Sequence, residues 1–142
     1  MKFWDSSALV PLLVDQPDAA RVQSILRDDP ELAVWWASDT ECASAVARLE
    51  REGDLDEKAA GQAYQRLAEL RASWHEVQPV EEIRETARRL LRVHDLRAGD
   101  SLQLAAAWLV AEYRPATLEF VCLDHRLAQA ARREGLMVLG VD

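Results

Sequence analysis

Lysine is nearly absent from this 142-residue chain: of its 17 basic residues only Lys2 and Lys58 are lysines, and the rest are arginines. With no lysine after Lys58, the chain lacks the late-strand lysine of a response-regulator receiver. Cysteine is as scarce. Cys42 and Cys122 show no C-x-x-C spacing, which argues against a disulfide framework or a zinc site and predicts two buried thiols. Among the 5 glycines neither G-x-G-x-x-G nor G-x-x-x-x-G-K occurs, so nucleotide-binding loops of those kinds are missing. No G-x-S-x-G elbow is present, and Ser7 stands where a phosphatase using Asp5 as nucleophile would carry a second acid. No stretch approaches the roughly 18 apolar residues of a membrane span. The opening Met1-Lys2-Phe3-Trp4-Asp5 has no signal-peptide pattern, which predicts a cytoplasmic protein without a membrane partner.

What the chain has in quantity is acid. The formal net charge is -8, which counts against a nucleic-acid binder, because neutralisation of phosphates by Lys and Arg dominates that affinity. A divalent cation held by clustered carboxylates reverses the argument locally, by turning an acidic surface into one that attracts phosphate. The arginine bias suits bidentate phosphate contacts, and a GC-rich genome produces the same bias. With 49% hydrophobic residues, the length fits one domain spanning residues 1–142 around a continuous core.

Short β-type runs alternate with longer helical patterns, which predicts an α/β fold whose sheet is mostly parallel and covered by helices. The expected strands are Lys2 to Trp4, Ala33 to Ala37, Phe120 to Leu123 and Met137 to Leu139, with Glu76 to Val80 a weaker edge strand marked by Pro79. Helical periodicity covers Ser38 to Glu52, Glu57 to Ser73, Glu81 to Val93, Asp100 to Tyr113 and His125 to Glu134. In the fourth of these, Leu102, Ala105, Ala106, Leu109, Val110 and Tyr113 form one apolar stripe expected in the core. Both Trp35 and Trp36 are expected in the core, on opposite faces of their strand. Gly53 and Gly135 read as helix stops.

Certain acids sit where strands end and helices begin. Asp5 follows the first strand and Asp124 follows Phe120-Val121-Cys122-Leu123, and ligands of open parallel sheets bind beyond the carboxyl ends of strands. Glu41 falls in the first turn of the helix after Val34-Trp35-Trp36, and Asp100 opens the helix Asp100-Ser101-Leu102. Each position also suits a helix cap, and Ser38-Asp39-Thr40-Glu41 fits the S-x-x-E capping box, in which Glu41 would bond the Ser38 amide. Spacing alone therefore supports an acid-lined edge of an α/β domain and no particular reaction.

Four segments carry more. They are Phe3-Trp4-Asp5-Ser6-Ser7-Ala8-Leu9-Val10; Ser38-Asp39-Thr40-Glu41 leading through Ala43, Ala45 and Val46 to Arg48; Leu96-Arg97-Ala98-Gly99-Asp100-Ser101-Leu102-Gln103-Leu104-Ala105-Ala106-Ala107; and Phe120-Val121-Cys122-Leu123-Asp124-His125-Arg126-Leu127-Ala128. In this order and spacing the chain resembles, nearly end to end, the PIN-domain ribonucleases, and among them the VapC-type toxins of bacterial toxin–antitoxin pairs. The resemblance implies a three-layer α/β/α sandwich and a metal-dependent endoribonuclease. Asp5, Glu41, Asp100 and Asp124 match the acidic ligands of Mg²⁺ or Mn²⁺, with Ser6 a supporting hydroxyl. It further implies an RNA substrate, a cognate antitoxin whose tail covers the acidic site, and a homodimer. The alternative is a catalytically silent PIN-like protein-interaction module. Cys122 departs from the family, which usually has Thr or Ser two residues before the last acid, and this predicts a weaker supporting hydrogen bond there. Asp95 rivals Asp100 in position but lacks the Ser-Leu-x-Leu-Ala-Ala-Ala segment, and it reads as a loop acid.

Those residue types suit phosphodiester hydrolysis. Hard oxygen ligands match Mg²⁺ and Mn²⁺, and two bare carboxylates about 5 Å apart repel by roughly 3 kcal/mol at an effective dielectric of 20, a cost that a cation removes. For substrate contacts, Arg84, Arg88 and Arg92 follow i, i+4, i+8 spacing and Arg97 lies near Asp100; the first three equally read as a solvated face paired with Glu81, Glu82 and Glu85. His125 reads as an exposed helix-start histidine or a substrate contact.

Overall fold

The computed structural model describes residues 1–142. Five strands form one sheet, β1 (Lys2–Trp4), β2 (Leu32–Trp35), β3 (His75–Val77), β4 (Glu119–Cys122) and β5 (Met137–Gly140), in the spatial order β3-β2-β1-β4-β5. Every pairing is parallel. Seven helices accompany it: α1 (Ser6–Leu13), α2 (Ala19–Asp28), α3 (Ser38–Arg51), α4 (Glu57–Ser73), α5 (Glu81–Val93), α6 (Ala98–Val110) and α7 (His125–Arg133). None is long and apolar enough to cross a membrane.

Alternation along the strands makes the sandwich. Phe3, Ala33, Trp35, Phe120 and Cys122 point to one face and pack with α5, α6 and α7, through residues such as Ile83, Leu90, Leu104 and Leu127. Trp4, Leu32, Val34 and Val121 point to the other and meet α1 to α4 through Leu9, Val22, Val46 and Leu67. The expected three layers are present, and a sheet covered on both faces explains why its strands read as continuous apolar runs. Lys2 begins β1 yet is buried, and its ammonium reaches Asp28 Oδ2 at 3.0 Å and Glu119 Oε2 at 3.1 Å at the rim of the sheet.

Several expectations need correction. Periodicity predicts no helix between β1 and β2, and α1 and α2 lie there. Ala8, Leu9, Pro11 and Leu13 of α1 are all buried, so this short helix has no polar face to set a 3.6-residue rhythm, and Pro11 disguises it further. Only Val22 of α2 is fully buried. Trp36 is 52% exposed where Trp35 is 5% exposed, because β2 ends at Trp35 and the chain turns there. Tyr113 is 55% exposed, because α6 ends at Val110 and Glu112 and Tyr113 adopt left-handed φ values of 51° and 61°. Within α6 the buried set also includes Ser101, Gln103, Leu104 and Ala107, so the helix is enclosed well beyond the predicted stripe. It starts at Ala98, which puts Asp100 inside its first turn rather than at its opening.

One backbone position pins the sheet next to the acids. Gly140 has φ +110°, and a Cβ there would lie 2.5 Å from the Cys122 carbonyl oxygen, its partner across β4 and β5. Gly140→Ala is expected to destabilise the protein by roughly 1–3 kcal/mol, seen as a lower thermal midpoint. An unchanged midpoint would show that the β5 edge relaxes freely.

Candidate active site

The order β3-β2-β1-β4-β5 places the topological switch point between β1 and β4, where the chain builds outward in opposite directions. Crevices at such points, beyond the carboxyl ends of the strands, are the usual ligand sites of open parallel sheets. Asp5 directly follows β1, its amide donating to the Val121 carbonyl of β4. Asp124 lies two residues past β4, Glu41 stands on the first turn of α3 after β2, and Asp100 stands on the first turn of α6. All four carboxylates line one cavity of ≈ 620 Å³, whose wall also includes Ser6, Ser7, Thr40, Ser44 and Arg48.

Each acid is held differently. Asp5 caps α1: its Oδ2 accepts from the Ser7 amide at 3.0 Å and from the Ser7 hydroxyl, and it is only 3% exposed. Burial pushes its pKa from 3.8 up to about 7; the Ser7 bonds oppose that rise, and the charges of Glu41 and Asp100 add to it. Glu41 accepts from Ser6 Oγ at 3.1 Å and from Gln103 Nε2 at 3.1 Å. Partial burial raises its pKa, the two hydrogen bonds lower it, and Asp100 raises it. Burial and then Asp124 raise the pKa of Asp100, against the opposing pull of Arg97 and Arg126. Asp124 is exposed and caps α7, its Oδ1 accepting from the Leu127 amide at 2.8 Å.

Asp5 and Asp124 are thus helix caps and cavity-lining carboxylates at once. The two roles separate at Glu41. The capping box does not form, since α3 begins after Ala37 with no side-chain cap and Glu41 bonds into the cavity instead. Ser6 supports an acid as expected, that acid being Glu41.

Two supporting residues are not found by the sequence reading. Ser7 holds Asp5, and its own hydroxyl accepts from the Leu123 amide at 2.9 Å, tying β4 to the acid of β1. Gln103, fully buried, spends its amide nitrogen on Ser38 Oγ and Glu41 Oε1, while its Oε1 has no partner. A lone polar residue inside Leu102-Gln103-Leu104-Ala105-Ala106-Ala107 was the available signal, because buried polar groups are the informative exceptions. Cys122, buried as predicted, has Sγ 3.9 Å from Asp5 Oδ2, 3.7 Å from Ser7 Oγ and 3.3 Å from the Asp124 carbonyl oxygen. Burial pushes its thiol pKa far up, so it stands beneath the acids as a neutral, weakly bonded group.

The predicted cations fall into two groups. Arg97 borders the acids, in a cleft shared with Asp100, Asp124, His125 and Arg126. Arg84 pairs with Glu81 at 3.2 Å, and Arg88 and Arg92 line a separate hollow with Arg89 and Val93; none of these three lines the acid cavity. Asp95 lies outside that cavity, as a loop acid should.

The donor set suits a hard divalent cation. Four carboxylates converge, and none forms an ion pair with any Lys, Arg or His. Three of them have raised pKa values, through burial first and the neighbouring carboxylates second. No three of the His, Cys, Asp and Glu side chains close around one point. One oxygen each of Asp5 and Asp124 is turned to its helix cap.

No protein-family model and no curated protein sequence matches the chain. Solved structures do. A toxin–antitoxin complex from Klebsiella pneumoniae aligns at TM-score 0.66 and 16% identity, covering 98% of this chain and 96% of that one. FitAcB from Neisseria gonorrhoeae aligns at 0.65 and 17% over 98% and 96%. PAE2754 from Pyrobaculum aerophilum aligns at 0.63 and 22% over 96% and 82%. Such identities speak for fold: this is an α/β sandwich on an all-parallel five-stranded sheet, built as in these proteins. It is the α/β/α sandwich on a mostly parallel sheet that the sequence predicts.

Proposed function

We propose that this chain is a metal-dependent endoribonuclease and the toxin of a toxin–antitoxin pair, with Asp5, Glu41, Asp100 and Asp124 holding Mg²⁺ or Mn²⁺. The observation that carries the reading is the convergence, from four separate elements, of four carboxylates without a cationic partner into one cavity. Bound there, the metal would lower the pKa of a water and neutralise charge on the phosphodiester being attacked. The chain's own residues supply the frame. Ser7 fixes Asp5, Ser6 and Gln103 fix Glu41, and the first turn of α7 fixes Asp124, so that three of the four acids are held in place at the cavity. Arg97 stands where it can meet substrate phosphate, whereas Arg84, Arg88 and Arg92 form a more distant arginine face on α5 that serves RNA only if the strand extends that far.

In this reading the protein works in the cytoplasm as a homodimer. Its antitoxin covers the acidic cavity with a segment carrying a cation, of which arginine offers the best geometry for a carboxylate pair. One of the similar solved structures is described as a toxin–antitoxin complex, which supports the pairing.

The test is cleavage of an RNA mixture with Mg²⁺ or Mn²⁺, with EDTA as control. Cleavage that EDTA abolishes supports the reading; a folded protein inactive with both metals points to a silent interaction module. Metal binding has its own signature. A ligand at a hundredfold excess over its Kd stabilises the folded state by about 2.7 kcal/mol, which at this chain length raises the melting temperature by several degrees. Asp100→Asn is expected to remove most of that rise, and an unchanged metal response in the variant overturns the ligand assignment.

A further inference from the structure

We propose that the cleft lined by Arg97, His125 and Arg126 is a phosphate subsite, holding the RNA strand next to the bond being cut; the proposal rests on the ribonuclease reading and deepens it. The cleft encloses ≈ 380 Å³, and none of its lining residues is hydrophobic. Two of them, Asp100 and Asp124, also line the acid cavity. A strand whose reacting phosphate sits at the four acids therefore enters this cleft with a neighbouring phosphate, and meets two guanidinium groups.

The cations occupy costly places. The N-terminus of a helix carries partial positive charge, which disfavours a cation, and α7 opens with His125 and Arg126 directly after its Asp124 cap. Arg97 takes the N-cap of α6, where Ser, Thr, Asp or Asn would satisfy the free amides, and no side chain caps that helix. Two helix starts border one cleft and both bear arginine, so an anion there meets guanidinium groups and helix N-termini together. In a chain of net charge -8 these arginines have few direct partners, although both act on Asp100 through space. Arg97 forms no ion pair, and Arg126 has only a 4.0 Å approach of Nε to Asp95 Oδ2. By contrast, Arg89 is committed to Glu134 at 3.0 Å and lies over the Trp108 ring, and Arg84 is committed to Glu81.

The test compares wild type with Arg97→Gln/Arg126→Gln on a random-sequence pool of 12-nucleotide single-stranded RNA in Mg²⁺. The expected result is a KM raised roughly tenfold or more, as for lost charged hydrogen bonds, with kcat within about twofold. The slope of log(kcat/KM) against log salt should become shallower by about 0.7 for each phosphate contact removed. The double lysine variant should recover most of the loss, because lysine keeps the charge. The melting temperature and its rise with Mn²⁺ should match the wild type, which separates a substrate contact from damage to the fold or the acids. An unchanged KM and salt slope in a variant of an active wild type overturns the subsite and leaves the ribonuclease reading standing. A loss carried by kcat, or a lost Mn²⁺ response, also overturns it. A wild-type chain that cuts no RNA overturns both.

Discussion

Replacing Asp5 with asparagine is expected to cut RNA cleavage by more than about a hundredfold and, in EDTA at pH 8, to raise the melting temperature. The first effect follows from its place among the four acids: losing a residue that merely supports a metal ligand typically costs about 10–100-fold, so losing a ligand costs more. The second follows from burial. Desolvation pushes the folded-state pKa of Asp5 from 3.8 up to about 7. Below about pH 4 the group is protonated in both the folded and unfolded chain, and its burial carries no charge penalty. Between about pH 4 and 7 the unfolded chain releases the proton while the folded chain keeps it, so stability falls as pH rises. Above about pH 7 the folded chain bears the buried charge, at a cost of up to about 4 kcal/mol.

Asparagine is neutral throughout and can still accept the Ser7 amide at the cap, as Asn does at helix N-termini. The gap in melting temperature between variant and wild type should therefore be small near pH 4 and widen toward pH 8. Added Mn²⁺ should close the gap by stabilising only the wild type. An Asp5→Asn protein that melts at or below wild type in EDTA at pH 8, or that still cuts RNA, contradicts the account. The opposite signs are informative together, since a residue kept for stability alone would lose both properties at once.

Phe120→Ala should produce the largest loss of stability. Phe3 and Phe120 are fully buried, face each other across β1 and β4, and stack with ring centroids 5.6 Å apart and planes within 5°. Truncating a buried Phe costs about 3–5 kcal/mol in lost burial and residual cavity. For a chain of this length that lowers the melting temperature by roughly 10 °C or more, a large share of a typical total stability of about 5–15 kcal/mol. Because β1 and β4 deliver Asp5 and Asp124, the metal-induced rise in melting temperature should shrink as well. A fall of less than about 3 °C would mean that α6 and α7 collapse into the space, and that the stack contributes little to holding the two strands in register.

The strands and most helices were legible because their signals are local. Lys2 to Trp4, the run around Val34, the run ending at Cys122 and the helices of residues 57–73 and 81–93 each have neighbours that fix their period and ends. The failures have two causes, burial that hides a helical period and element ends that fall short of the apolar run. The helix of residues 6–13 has no solvent-exposed face and shows no period, Trp36 falls just beyond a strand end, and Tyr113 falls just beyond a helix end.

The acids divide in the same way. Sequence by itself placed Asp5, Glu41, Asp100 and Asp124 at element ends and, through four ordered motifs, identified them as one set. It could not tell a capping box at Ser38 to Glu41 from a carboxylate turned into a cavity. That choice depends on Ser6, 35 residues away, and Gln103, 62 residues away, whose donors outcompete the local amide. Nor could it find Ser7 as the clamp on Asp5, or join Arg97 to Arg126, because the parallel order β3-β2-β1-β4-β5 alone brings the starts of α1, α6 and α7 to one edge. Local sequence determines which residues can cap, pair or carry charge. Electrostatic cost and metal affinity depend on distances between residues far apart in the chain, and only the tertiary structure sets those.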